Sequence, residues 1–477
     1  MKKYNIKKIC CIGAGYVGGP TMAVFASHCP NIIINIVDIN KKRIDAWNSK
    51  NASDFPIFEP GLDDLILNFR DKNLFFTTDL QNSISEADMI FISVNTPTKT
   101  KGIGAGQASD LKWVEASARQ IARFSKSHTI VVEKSTLPVK TAETIENILI
   151  SSQDKECNEL KTFSVLSNPE FLSEGNAIKD LQNPDRVLIG GEDESAIKAL
   201  SDIYLKWVPE KKILKTNIWS SELSKLAANA FLAQRISSVN SISALCEVTG
   251  ADIQQVCKAI GMDKRIGSKF LNPGPGFGGS CFQKDILNLV YLCNYYKLEE
   301  VANYWQGVLN INNWQKSRIS KVIVNYLFGN ISGKKITILG FAFKANTNDT
   351  RQSPCISICK DLLEEGAHLS IYDPKVENYK IDNDLKDLKT ENQDYVENEE
   401  NRVWINYPSV EQAASESDAI VILTEWEEFS QIDWEKIIKL MRRPAWIFDT
   451  RACIDYDKAK RAGFNIWHIG NSLLINK

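Results

Sequence analysis

The chain has 477 residues, 43% of them hydrophobic and 24% charged, and a formal net charge of -2. That length exceeds one ordinary core and predicts two or three domains. The near-neutral balance excludes a generally basic surface, so nucleic acid is not an expected partner and any anionic ligand must be met by local positive charge.

No apolar run is long enough to span a bilayer, and the start MKKYNIKKICCIGAG runs directly into a structured motif without a cleavage signal. No membrane association is expected. Eleven scattered cysteines, several in apolar contexts such as Cys10, Cys11, Cys246 and Cys293, read as reduced thiols of a cytoplasmic protein. Cys355 and Cys359, four apart on a predicted helix, read as core. The four histidines lie far apart and show no zinc spacing, so no metal is expected.

In chain order, KKICCIGAGYVGGPTMAVFASHC is an apolar strand, a glycine turn and a helix. Gly13, Gly15 and Gly18 form G-x-G-x-x-G, which serves a tight turn, an approach to pyrophosphate and close helix packing. The next strand, IIINIVD, ends at Asp38, placed to accept from an adenosine ribose and to repel a 2'-phosphate. This favours NAD over NADP, although Arg43 follows closely and argues the other way. Three further buried strands end in polar loops: at Asn95–Pro97, just before Thr136, and at Asn168–Glu170. Loops at the carboxyl ends of parallel strands bind ligands, which makes Thr136, Glu170 and Glu174 candidates for one cleft. Each of them is also an ordinary turn or cap residue.

From Trp219 a run of about thirty residues without proline or glycine predicts a long amphipathic helix, with Ser220 or Ser221 as its cap. Lys225 and Asn229 are four apart on one face. A second long helix is expected over roughly 301–328. The all-helical middle predicts an oligomer packed across a symmetry axis. GKKITILGFAFKANTNDTRQSP then restarts the strand–turn–helix theme without the glycine fingerprint, continuing through AHLSIYDP, ESDAIVILTEW, PAWIFDTR and FNIWHIG. The stretch 377–402 is crowded with Asp, Glu, Asn and Lys and reads as a solvated insertion. The expected architecture is α/β: two Rossmann-like parallel-sheet domains, 1–217 for NAD and 331–477 for a second nucleotide-like ligand, joined by a central all-helical domain over 218–330.

The stretch PGFGGSCFQKD offers chemistry that a nucleotide fold alone does not need. Cys281 is either a small buried hydrophobe or a nucleophile in a glycine-lined loop, with Lys284 and Asp285 close behind. A cysteine and NAD belong together where an aldehyde is oxidised to an acid: the thiolate adds, hydride leaves, and water cleaves a thioester.

These motifs together (GAGYVGGPT, EKSTLPV, NPEFLSEG, SSELSKLAANAFLAQRIS, GFGGSCFQKD and GFAFKANTNDTRQSP) resemble the UDP-glucose 6-dehydrogenase family, within the wider UDP-sugar and GDP-sugar dehydrogenases, over nearly the whole chain. The resemblance implies oxidation of UDP-glucose at C6 to UDP-glucuronate with two NAD consumed. It implies catalytic roles for Cys281 as nucleophile, Lys225 and Asn229 at the oxyanion, Asp285 with Thr136 around water and lysine, and Glu170 in acid/base work. For the cofactor it implies Gly13, Gly15, Tyr16, Val17, Gly18, Asp38, Arg43, Thr96, Thr136, Glu174 and Arg351. For the substrate it implies Glu170, Phe171, Leu172, Lys225, Asn229, Phe270, Leu271, Phe277, Gly278, Lys344 and Arg451, with Arg265 reaching a neighbouring subunit's site. The same resemblance implies a homo-oligomer with a dimer as its minimal unit, the family's larger forms being hexamers. The chain departs from the animal pattern at Asn272, at Ala345–Asn346 and in its longer 377–402 insert. Three alternatives stay open: the same chemistry on another UDP-hexose, an alcohol dehydrogenase stopping at the aldehyde, and a nucleotide-sugar-sensing scaffold.

Overall fold

The computed structural model describes residues 4–135, 138, 140–152, 161–386 and 403–471. The chain divides into two compact units, Met1–Ala228 with Leu287–Leu292, and Asn229–Ile286 with Cys293–Lys477.

In the first unit the strands are β1 (Lys8–Ile12), β2 (Ile33–Val37), β3 (Leu74–Thr77), β4 (Met89–Ile92), β5 (Thr129–Glu133), β6 (Phe163–Ser167), β7 (Val187–Gly190) and β8 (Ile213–Thr216). Their order across the sheet is β3-β2-β1-β4-β5-β6-β7-β8. Pairing is parallel from β3 to β6; β7 joins β6 through one antiparallel bridge, Ser167 to Gly190, and β8 runs parallel to β7. The parallel sheet therefore carries an added pair running the other way. Both faces are covered, which explains why the strands read as unbroken apolar runs. In β1, Ile9 and Cys11 point into one core with Phe25, Trp47 and Phe91. Cys10 and Ile12 point into the other, with Ile90, Val114 and Ile121. The chain leaves β1 to neighbours on opposite sides, β2 and β4, so the turn after Ile12 sits at a topological switch point.

The long helix runs over Ile218–Thr249. Its first turn is capped by Asn217, whose Oδ1 accepts from the Ser220 amide at 2.8 Å, and not by Ser220 or Ser221. Ser221 is fully buried and its hydroxyl faces the Ser167 carbonyl at 3.4 Å. Helices Ile253–Gly261, Phe282–Tyr295 and Glu299–Tyr326 follow, the last starting two residues earlier than its periodicity suggested. Among the described residues no helix is long and apolar enough to cross a membrane.

The second unit's strands are β9 (Lys335–Leu339), β10 (His368–Tyr372), β11 (Trp404–Asn406), β12 (Ala419–Ile422), β13 (Trp446–Asp449) and β14 (Asn465–His468), in the order β11-β10-β9-β12-β13-β14, all parallel. Its first turn repeats that of the other sheet. Gly340 N donates to Tyr372 O at 2.8 Å, as Gly13 N does to Val37 O at 2.8 Å. Asp373 accepts from Phe341 N at 2.7 Å, as Asp38 accepts from Ala14 N at 3.1 Å. Ala342 and Ala345 stand where the first turn has Gly15 and Gly18, so the geometry survives without the fingerprint.

The start of the 377–402 stretch is not a solvated insertion. Asn378–Leu385 is a helix whose Ile381 and Leu385 enter the second core. Its Asp382 accepts from Trp404 Nε1 at 2.9 Å. Residues 387–402 lie outside the described residues.

Candidate active site

At the switch point Gly13 has φ +111°, and a β-carbon there would meet the Ser93 carbonyl oxygen at 2.4 Å. A β-carbon at Gly18 would sit 2.0 Å from the Gly13 carbonyl oxygen, so only glycine lets the helix Gly18–His28 start this close. A β-carbon at Gly15 would meet nothing within 4 Å: that side of the turn is open for a ligand. Val17 forms the helix N-cap and Tyr16 packs against the core. Asp38, just past β2, accepts from Ala14 N on Oδ2 and from Asn40 N on Oδ1. Arg43 pairs with Oδ2 at 2.9 Å. Arg43 is therefore Asp38's partner and not a competing charge. A carboxylate offers about four acceptor positions, and the three donors here leave one on Oδ1. The open turn and this acceptor fit a dinucleotide with a free 2'-hydroxyl. Thr96 is buried beyond β4, and Glu174 is half-buried in the loop after β6.

That loop is fixed by a residue the motifs did not single out. Glu59, itself buried, accepts from Gly175 N at 2.6 Å and Ala177 N at 3.1 Å, which caps the helix Ala177–Gln182. Within the loop Glu170 accepts from Leu172 N at 2.9 Å with one oxygen and pairs with Lys225 at 3.0 Å with the other. Both side chains are about 95% buried, their exposure being 5% and 6%. Phe171 lies under two cations, Arg186 at 3.8 Å and Lys225 at 5.5 Å. The structure thus unites Glu170, Phe171, Leu172 and Lys225 in the first unit. Thr136 lies outside the described residues.

Glu133 ends the otherwise uncharged β5, and Lys134 follows it directly. Lys134 is buried and donates to Asn168 Oδ1 at 3.0 Å and to Tyr204 Oη at 3.2 Å. Burial pushes its ammonium down to about 8, with Lys225 acting in the same direction and Glu170 opposing. Glu133 is fully enclosed; burial first, and the adjacent Glu222 second, push its carboxyl well above the usual range. Glu222 accepts from Lys140 N at 2.7 Å and Ala142 N at 2.8 Å. Burial raises the Glu222 carboxyl as well, but those amides oppose it, so of the two Glu133 is pushed further and keeps the proton. The signal for this group was legible: consecutive charges at the end of a buried strand are rare unless paired.

In the second unit Cys281 immediately precedes the helix Phe282–Tyr295, and its carbonyl accepts from Asp285 N at 2.8 Å. The thiol is half-buried beside Ser280 Oγ at 3.4 Å, at the positive end of the helix. One turn along, Asp285 is 1% exposed and takes Asn229 Nδ2 at 2.6 Å on one oxygen and Lys284 Nζ at 3.4 Å on the other. The glycine loop is clamped from two sides. Asn240 accepts from Gly274 N, Asn312 accepts from Phe277 N, and Gln315 donates to Gly274 O. On the other side Gly279 N donates to Arg351 O at 2.8 Å, and a β-carbon at Gly278 would sit 2.5 Å from Gln352 O. Arg351 pairs with Asp349 at 2.5 Å. Arg451 donates to Leu423 O and Phe343 O and pairs with Glu425 at 3.1 Å. Lys344 Nζ stands 5.9 Å from the Phe343 ring.

Other expected residues stand apart. Arg265 is 89% exposed and, among the described residues, pairs locally with Asp263. Leu271 is buried against Val239, Cys246, Ile253 and Cys257, so its side chain is core and only its backbone is left for a ligand. Phe270 has φ 61° and is partly exposed.

Three family models match the chain. The NAD binding domain of the UDP-glucose/GDP-mannose dehydrogenase family matches residues 7–208, the central domain 219–314 and the UDP binding domain 337–456. UDP-glucose 6-dehydrogenase 1 of Glycine max is 55% identical over 479 aligned residues, covering 98% of this chain and 97% of the relative. Among solved structures, a UDP-glucose dehydrogenase from Pyrobaculum islandicum is 28% identical with a TM-score of 0.82, covering 98% of each chain. A UDP-D-ManNAc dehydrogenase from Pyrococcus horikoshii is 26% identical with a TM-score of 0.79, covering 97% of this chain and 99% of that one.

Proposed function

The chain belongs to the UDP-glucose/GDP-mannose dehydrogenase family of NAD-dependent oxidoreductases, and from that premise we propose that it oxidises C6 of UDP-glucose twice, to UDP-glucuronate. The observation that carries the two-step reading is Cys281 at the amino end of the helix Phe282–Tyr295, one turn from an Asp285 held by Asn229 and Lys284. An enzyme that stopped at the aldehyde would need neither a half-buried thiol at a helix end nor this buried support.

The turn from Gly13 to Gly18 would hold NAD with Asp38 on its ribose, and the bound cofactor would supply the hydride acceptor for each oxidation. The residues do the rest. Lys225 brings a fixed positive charge to the C6 oxygen, where negative charge develops in both oxidations, and Asn229 adds a hydrogen-bond donor. Cys281 as thiolate adds to the C6 aldehyde and gives a thiohemiacetal, which becomes a thioester when it loses hydride. Glu170 accepts a proton from the hydrolytic water, and the carboxylate product leaves the thiolate free. Lys344 and Arg451 meet the diphosphate.

Identity over almost the full length to a relative named for UDP-glucose supports that sugar above an N-acetylhexosamine. An oligomer built on the central helices is part of the same proposal. Phe231, Leu245, Val248 and Tyr304 there are all more than half exposed, a concentration of large apolar side chains that an interface would cover. The deciding experiment measures NADH formed per UDP-glucose and identifies the product. Two NADH and a uronate support the proposal; one NADH with released aldehyde, or turnover of UDP-N-acetylhexosamines alone, overturns it.

A further inference from the structure

We propose that Lys134 is a positioning residue of this site: anchored by Asn168 and Tyr204 at the root of the loop that carries Glu170, it adds a second buried positive charge to the Glu170–Lys225 pair. The inference rests on the functional reading above and adds a residue to it.

Lys134 is 3% exposed, and among the described residues its hydrogen-bond partners do not require a lysine there. Its two partners already satisfy each other, since Tyr204 Oη donates to Asn168 Oδ1 at 2.7 Å. Asn168 is further fixed through its amide, which donates to Glu133 O, and through Nδ2, which donates to Leu188 O. An apolar side chain of the same length would leave no orphaned polar group, whereas burying an ammonium is costly. A charge retained at that cost without a structural need calls for another use.

The groups that face it define the use. Glu170 and Lys225 act on Lys134 as charges, Cys11, under the nucleotide turn, acts on it as well, and Tyr204, its hydrogen-bond partner, keeps its proton because burial raises its phenol. With Glu170 and both lysines ionised the cluster carries one net positive charge. A C6 oxyanion would bring the total to zero, and that oxyanion forms in each oxidation. The geometry also lets Lys134 titrate in place. It donates two hydrogen bonds, and a neutral amine still has two N–H groups. Losing a proton therefore breaks neither bond and changes only the charge.

The test compares kcat against pH for the unmodified chain, Lys134→Met and Lys134→Arg. The unmodified profile should lose activity as pH rises through about 8, the value that burial gives Lys134. Lys134→Arg, which keeps its charge, should hold a plateau across that range. Lys134→Met should lie about tenfold or more lower, without that limb, because one charge is missing throughout. A Lys134→Met profile parallel to the unmodified one overturns the proposal. If Lys134→Met does not fold, Tyr204→Phe removes a single oxygen; losing an acceptor should move the limb to lower pH, and an unmoved limb counts equally against it. A readout without substrate separates this proposal from the functional one. The folded-state value of Lys134 is depressed, so its neutral form makes the unmodified chain gain melting temperature over Lys134→Met as pH rises from about 8 toward 10. A constant difference overturns the placement of Lys134, whereas failure of the unmodified chain to reduce NAD with UDP-glucose overturns only the reading of function.

Discussion

Glu133→Gln should make the first unit more stable the higher the pH. Glu133 is 2% exposed at the end of β5, and enclosure together with the charge on Glu222 holds its proton in the folded chain far above the ordinary carboxyl value of 4.5. In the unfolded chain that proton leaves near the ordinary value. Between the two values the folded state binds one more proton, so stability falls as pH rises, by about 1.4 kcal/mol per pH unit. The fall continues from the ordinary carboxyl value up to the folded-state one, and the glutamine chain gains over the glutamate chain throughout that interval. Glutamine keeps the shape, and its amide can donate to Glu222 in place of the acid proton, but it has nothing to titrate. Melting curves of both chains across that range should diverge, with the glutamine chain ahead at the alkaline end. Parallel curves would refute the assignment of a neutral Glu133.

Cys281→Ala should abolish the sugar–nucleotide adduct seen by intact-protein mass spectrometry after a quench with UDP-glucose and NAD; unchanged turnover to the acid would reduce PGFGGSCFQKD to a binding loop. Cys281→Ser should stall at a slow adduct, because an alkoxide leaves less readily than a thiolate. Asp38→Ser should narrow the preference for NAD over NADP and cost about 1–2 kcal/mol of stability through the lost bonds to Ala14 and Asn40; equal efficiency with both cofactors in the unmodified chain would contradict this. Arg265→Ala should leave the melting temperature unchanged, since its only local tie is to Asp263, and should raise KM for the sugar above that for NAD. Verified hybrids of that chain with Cys281→Ala should regain activity if the arginine serves a neighbouring subunit.

Much of this was legible because strong local physics fixes it. Gly13 and Gly18 cannot be other residues without a clash, and the apolar runs ICCI and MIFI can only be strands covered on both faces. The short strands β3, β7, β8 and β11 were not legible: three or four residues long, away from the sheet centre, they carry too few positions for periodicity to show. The cap of the long helix was misplaced because Asn217 and the serines are equally good cap types, and only the backbone decides among them. The helix Asn378–Leu385 was hidden by its composition, where two buried residues, Ile381 and Leu385, outweigh six polar or half-buried ones. In the site, residues that meet along one helix could be paired in advance, but Glu170 with Lys225 and Glu133 with Glu222 join segments more than fifty residues apart.

Selectivity among the thiols supplies the last step. A nucleophilic cysteine must be distinguished from many inert ones in the same chain. Burial pushes Cys10 and Cys359 well up, and raises Cys11 to about 12 and Cys355 to about 11. Two of the described cysteines, Cys281 and Cys453, are only half-buried. Cys453 stands 3.9 Å from an oxygen of Asp449, and burial with that carboxylate and Glu425 drives its thiol upward. Cys281 stands instead at the amino end of a helix, one turn before an Asp285 that is engaged by Asn229 and Lys284. The interior thus disarms the buried thiols through desolvation and the other half-buried one through a neighbouring charge. Among the described cysteines, Cys281 alone is half-buried directly at the amino end of a helix, the setting that the proposed two-step oxidation asks of its nucleophile.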